Sequence, residues 1–248
     1  MIRLNDLCDD YYVNMTLSTE MELPANRETV LHFFERVQKT YPTMHNFHCR
    51  DRGDFVLEED KDQGDQRWVT IEPRRVCSGM VNPESVDLAM EQHNLILELA
   101  PYMLSISPLD CEALDLHFGF DFTYRGNHNQ LIYEALGLSV PFEPIANYPG
   151  GRIVTYEPSI TIALDQDCRN QVRLGLETRT NAYQIRTGDF AEDQMSVYLT
   201  ARRFGSLGGN DSFVPVFRDL YDTCMEMLQN HVIDNILQPL KQTIALKG

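Results

Sequence analysis

The sequence predicts an α+β protein built from two ferredoxin-like (split βαβ) halves, each an antiparallel sheet covered by helices on one face. Three observations predict it: the unbroken apolar–polar alternation of residues 113–124, the order of elements before that run, and a second β-rich stretch ending in a long amphipathic helix. In the 113–124 run, Leu114, Leu116, Phe118, Phe120, Phe122 and Tyr124 fall on one side of a strand. Asp115, His117, Gly119 and Asp121 fall on the other.

Upstream, Val13, Met15, Leu17, Met21 and Leu23 alternate with Asn14, Thr16, Ser18, Glu20 and Glu22, which predicts a first strand over Val13–Leu23, closed by Pro24. Asn26 is the expected N-cap of a helix bearing Val30, Leu31, Phe34, Val37 and Tyr41 at helical spacing, and Pro42 ends it. Strands over Met44–Leu57 and Arg67–Met80 flank the polar loop 58–65. Asn82 as N-cap, followed by Pro83, predicts a second helix with the face Val86, Ala89, Met90, His93, Ile96, Leu97 and Ala100. In a β-α-β-β-α-β order the first and last strands are neighbours. Glu20 and Glu22 are then expected on the same open face as Asp115, His117 and Asp121.

Residues 1–125 form the first half on this reading, and 126–151 a connector with a short helix over Gln130–Leu136. Residues 152–248 give a three-stranded meander and a long C-terminal helix. The meander strands are Ile153–Leu164, Gln171–Tyr183 and Gln194–Phe204. Their inward residues are Val154, Tyr156, Ile160, Ile162 and Leu164, then Val172, Leu174 and Leu176, then Met195, Val197, Leu199 and Ala201. The helix, capped by Asp211 or Ser212, carries Phe213, Phe217, Leu220, Cys224, Met227, His231 and Ile236. That stripe is expected to cover the whole second sheet.

Composition narrows the function classes. The chain is 43% hydrophobic and 23% charged, the mix of a folded globular protein, and no apolar run approaches the ~18 residues that span a bilayer. The opening residues lack a basic segment followed by an apolar one, so a cytoplasmic location is expected. A formal charge of −16 disfavours nucleic acid and anionic membranes as partners, because both repel it at long range. The six cysteines are scattered singly, without a C-x-x-C pair, and read as free thiols. Dinucleotide-binding, P-loop, nucleophile-elbow and zincin motifs are all missing.

Two constellations carry chemistry. Glu20, Glu22, Asp115 and Asp121 offer clustered carboxylate oxygens suited to Mg2+ or Mn2+, against the alternative that an antiparallel sheet simply keeps one wet face. Arg173, Arg179 and Arg202, with Tyr198 and His117, offer planar cationic forks to a small anionic ligand. The alternative there is cross-strand ion pairing with Glu157 and Glu177. His45, His48 and Cys49 lack a second pair of ligands and read as incidental residues of an edge strand. His128 lies in a loop at a helix start. His93 and His231 read as core histidines.

The element order, with 67-RWVTIEP-73 and the Phe118–Tyr124 strand, resembles a sporadically distributed bacterial family of uncharacterised proteins, which implies the layout but no activity. Glu20-Met21-Glu22 on a first strand is similar to the opening of the triphosphate-tunnel enzymes. That resemblance implies metal at Glu20 and Glu22 beside a cationic channel, but Pro24 stands where those enzymes place a lysine. Two readings follow. One is a non-enzymatic module that binds another protein or a small anionic ligand through a sheet face or groove, with a homodimer as one arrangement and no cofactor. The other is a metal-dependent enzyme acting on a phosphorylated or other anionic substrate.

Overall fold

Among the described residues nine strands pair into one open antiparallel sheet. The computed structural model describes residues 3–50, 53–61, 64–138, 141–208 and 211–247. The strands are β1 (Asp10–Thr19), β2 (Asn46–Cys49), β3 (Phe55–Glu58), β4 (Gln66–Glu72), β5 (Arg75–Val81), β6 (Cys111–Arg125), β7 (Ser159–Ala163), β8 (Asn170–Glu177) and β9 (Glu192–Phe204). Their order is β2-β3-β4-β5-β1-β6-β9-β8-β7. The helices are α1 (Arg27–Thr40), α2 (Val86–Met103), α3 (His128–Leu136), α4 (Glu143–Ala146), α5 (Ala182–Thr187), α6 (Phe213–Met227) and α7 (Gln238–Lys247).

The expected two sheets are therefore one. The long alternating strand, β6, pairs with β1 on one side and with β9 on the other, from Ala113 opposite Phe204 to Arg125 opposite Glu192. Its apolar face, Leu114, Leu116, Phe118, Phe120 and Phe122, is buried as expected. So are Val13, Met15 and Leu17 of β1 and Met195, Val197, Leu199 and Ala201 of β9. Both neighbours of β6 bury the same side, so one core runs across the join.

Several boundaries differ from the sequence reading, each for a local reason. β1 ends at Thr19, where the ladder to β6 shifts register; Glu20 N–H then bonds to the Asp110 carbonyl and Met21 N–H to its carboxylate. Met44–Leu57 is two strands, β2 and β3, and past their paired residues Arg50 N–H bonds to the Asp54 carbonyl. Arg67–Met80 is also two strands, because Pro73 cannot donate to a ladder and turns the chain between Glu72 and Arg75. α2 starts after Ser85 rather than Asn82. Asn82 is used elsewhere: at φ 47° it accepts from Tyr11 N–H and donates to Asp10. The strand expected to reach Tyr183 stops at Glu177 and gives way to α5, capped by Asn181.

The helix calculus of α1 and α2 follows the sequence. The Asn26 side chain caps α1 by accepting from Thr29 N–H, and Val30, Phe34 and Val37 are buried. α2 buries Ala89, Met90, His93, Ile96, Leu97 and Ala100. It also buries Gln92, and these two polar side chains pin it to the sheet. His93 bonds through Nδ1 to Ser78 Oγ and through Nε2 to the Val13 carbonyl, while Gln92 Nε2 donates to Ser78 Oγ and to the Trp68 and Gly79 carbonyls. A buried polar group left unpaired costs about 1–3 kcal/mol, so these bonds fix where α2 docks.

The C-terminal helix departs furthest. α6 is followed by a π-helical stretch, Leu228–Leu237, before α7 resumes, and the Gln238 N–H reaches back to the Ile233 carbonyl. Each turn of that stretch holds one residue more than an α-turn. The buried stripe therefore moves to Leu228, Val232, Ile233 and Leu237, and His231 faces solvent rather than the core. α6 lies over β6 and β9. It leaves the outer edge bare: Ile160 is 61% exposed, Leu164 45% and Ile162 38%, against their expected place in a core.

Candidate functional site on the open sheet face

Side chains from β1, β6, β9 and β8 meet on the face turned away from the helices. One cross-strand row is Asn14, His117, Thr200 and Arg173; the next is Tyr12, Gly119, Tyr198 and Gly175; a third is Thr16, Asp115, Arg202 and Gln171. The sheet does not close, so the arginines stand on an open face and not around a channel.

Two glycines shape this surface. A Cβ on Gly119 would stand 2.2 Å from Tyr12 Cζ, and one on Gly79 would stand 2.2 Å from Trp68 Cε2. Glycine within a strand permits such close approach, and here it lets both rings lie across the neighbouring strand. His117 completes the layer, its ring centroid 6.0 Å from Tyr12 and 5.1 Å from Tyr198. Burial, then the neighbouring Tyr198, pushes the Tyr12 phenol above its usual range. Asn14 Oδ1, against Gly79 and Trp68, is buried without a hydrogen-bond partner among the described residues.

The charges sort into spent and unspent. Asp115 holds Arg202 in a bidentate pair, Nε to Oδ1 at 2.6 Å and Nη2 to Oδ2 at 2.5 Å. Burial raises the Asp115 carboxyl, and Arg202 opposes that rise. Asp121 accepts from Ser196 Oγ at 2.6 Å; burial raises its carboxyl too, against the pull of Ser196 and Arg179. Arg179 donates to the Gln194 carbonyl and to Ser196 Oγ, with Asp193 at 4.0 Å. Arg173 is different. Its Nε reaches Ser159 Oγ at 3.3 Å, and it forms no ion pair among the described residues. The expected pairing with Glu157 does not form, because that carboxylate accepts from Thr178 instead.

His117 shares its cross-strand row with Thr200 and Arg173, and Tyr12 and Tyr198 occupy the next row. Its Nδ1 lies 2.7 Å from Thr200 Oγ1, and Nε2 makes no bond among the described residues. Burial first, and then the Arg173 and Arg202 charges, lowers its pKa to about 4. The ring is neutral at pH 7.

The four carboxylates considered for a metal are not brought together. Glu20 lies past the end of β1 with Arg74 at 3.5 Å, Glu22 is exposed, and Asp115 and Asp121 are occupied as described. Among the described residues no group of three or more His, Cys, Asp or Glu side chains is placed to hold a metal ion. His45 and His48 lie at the β2 edge, with Asp60 at 3.5 Å and Glu58 at 3.9 Å. His128 is buried in the first turn of α3, its Nε2 3.1 Å from the Tyr124 carbonyl.

Sequence reasoning placed Asn14 and Thr200 on polar strand faces by alternation and missed Tyr12 and Trp68. The available signal was a glycine inside each of two alternating strands, but which aromatic lies over it depends on pairing between strands far apart in sequence. An apolar cleft of about 430 Å3, lined by Phe142, Ile145, Val154 and Tyr156, lies elsewhere, beside α4. No protein-family model matches the chain, and no curated protein matches it either.

Proposed function

We propose that the protein is a non-enzymatic binding module that takes a small anionic ligand on the open sheet face, between Arg173 and His117. The observation that carries this reading is Arg173: a guanidinium with no carboxylate partner among the described residues, in one cross-strand row with a neutral imidazole, on a chain of net charge −16. With the Thr200 hydroxyl donating to Nδ1, His117 carries its proton on Nε2. It then presents an N–H in the same cross-strand row as the planar fork of Arg173, and donors of this kind suit a carboxylate or a phosphate. Tyr12 and Tyr198 give that ligand a half-buried aromatic floor, and Arg202, neutralised by Asp115, does not compete for it. The acidic remainder of the chain repels anions elsewhere.

Isothermal titration with inorganic phosphate and with benzoate tests the reading. Binding of either by the wild type, lost in Arg173→Met and weakened in His117→Gln, is expected. Affinity for benzoate, which stays ionised over this range, should rise as pH falls from 7 to about 5.5, because a bound anion favours the imidazolium and the complex takes up a proton. No heat with either probe at 10-millimolar order, or equal binding by Arg173→Met, overturns it.

A further inference from the structure

The two ends of the sheet are finished differently. β2, at one end, is four residues long and has carboxylates close by: Asp60 lies 3.5 Å from His45, just before the strand, and Glu58 of β3 lies 3.9 Å from His48. Short length and charge are ordinary ways to keep an edge from pairing with another chain. β7, at the other end, is five residues long and has no ion pair along it among the described residues. Ser159-Ile160-Thr161-Ile162-Ala163 contains no charge, proline or glycine, and its ladder to β8 runs without a bulge.

The edge groups that β7 leaves bare can be identified. Leu176 N–H bonds to the Pro158 carbonyl and Leu164 N–H to the Asn170 carbonyl, so the even-numbered residues are those bonded to β8. The N–H and C=O groups of Ser159, Thr161 and Ala163 point the other way, to the free edge. An occupant must therefore be a strand. It must also carry two apolar residues at alternate positions to lie beside Ile160 and Ile162 on the helix side.

We infer that this occupant is β7 of a second copy, paired antiparallel about a two-fold axis through Thr161. The strand is its own complement. Thr161 faces Thr161, Ser159 faces Ala163, and Ile160 of each copy lies beside Ile162 of the other, so three residue pairs exchange main-chain bonds and four isoleucines close into one layer. Charge selects the same solution, since two chains of net charge −16 meet most easily along an uncharged strand. Pairing β7 with β2 of another copy would extend without closing, whereas the two-fold contact closes as a dimer. The helix layers of both copies then lie on one side of a continuous sheet, and both open faces on the other.

Light scattering at about 100 μM should give twice the 28.6 kDa chain mass for the wild type. The Ile160→Lys, Ile162→Lys variant should give the single mass with an unchanged far-ultraviolet spectrum, because both side chains are already exposed. In a Cys49→Ser, Cys168→Ser background, Thr161→Cys should form an intermolecular disulfide on mild oxidation, since directly opposed bonded residues stand about 5.5 Å apart at Cα. Asn46→Cys, on the opposite edge, should not. A monomeric wild type overturns the inference. So does a dimer that survives the lysine pair, or one that crosslinks through Asn46→Cys and not Thr161→Cys.

Discussion

His93 is fully enclosed between α2, β1 and β5, and burial lowers its pKa to about 3. The unfolded chain, with an ordinary imidazole near 6.5, takes up a proton that the folded chain refuses. This contribution to stability is complete above pH 6.5 and is lost as pH falls toward 3, with a slope of up to about 1.4 kcal/mol per pH unit. Urea titrations between pH 7 and 5 should show a shallower acid loss in His93→Gln than in the wild type. Asp115 and Asp121 have raised pKa values and act with the opposite sign, so the difference between variants isolates the histidine. Burial decides thiol chemistry in the same way. It pushes Cys8, Cys77 and Cys224 up to about 12 and Cys111 to about 11, while Cys49 and Cys168 are exposed. A thiol-specific disulfide reagent should label two cysteines quickly in the native protein and all six in urea. At the Asp115–Arg202 pair, Arg202→Met should cost about 1–3 kcal/mol by leaving a mostly buried carboxylate without its donors, measured by the denaturation midpoint.

Elements were legible in the sequence wherever one residue's surroundings were local. The Asn26 cap, the buried face of α2 and the alternation of β6 depend on neighbours a few residues away, and each was read correctly. Turns inside apolar runs were harder. Pro73 marks one, but apolar residues continue on both sides of it and the alternation there is unclear. The C-terminal stripe was read at α-helical spacing through His231, and the π-helical stretch broke that spacing. Of the site, Arg173, His117 and Tyr198 were named from alternation alone. The aromatic layer was not, because Tyr12 and Trp68 reach it only through the pairing of β1 with β6 and of β4 with β5. That layer can be tested at its glycines. Gly119→Ala should cost about 1–3 kcal/mol by displacing the Tyr12 ring. The penalty should shrink in a Tyr12→Ala background, and a double-mutant cycle in urea reads the coupling.

Across the whole molecule, the β6–β9 ladder makes the two halves of the sequence one sheet with one core. Phe217 of α6 meets His93 of α2 edge-on, with ring centroids 5.8 Å apart, so the layers on top of the sheet are joined as well. A fragment of residues 1–125 would expose the β9 side of β6 and uncover Phe118, Phe120 and Phe122. It should aggregate or remain unfolded, judged by sedimentation and circular dichroism. Intact protein should unfold in one step, with Trp68, the single tryptophan, reporting the same midpoint as the far-ultraviolet signal. The π-helical stretch sets one more relation at this scale. Two of its turns store about two surplus residues, and at 3.6 residues per α-turn these swing the helix that follows by roughly half a revolution. α7 acquires its azimuth from that surplus: Leu240 turns inward, and Lys247 comes within 2.5 Å of Glu134 on α3. The stretch is thus a phase adjuster for the chain's last segment. Small deletions within 228–237 would rephase the whole terminal helix, while substitutions of its exposed residues would leave that phase unchanged.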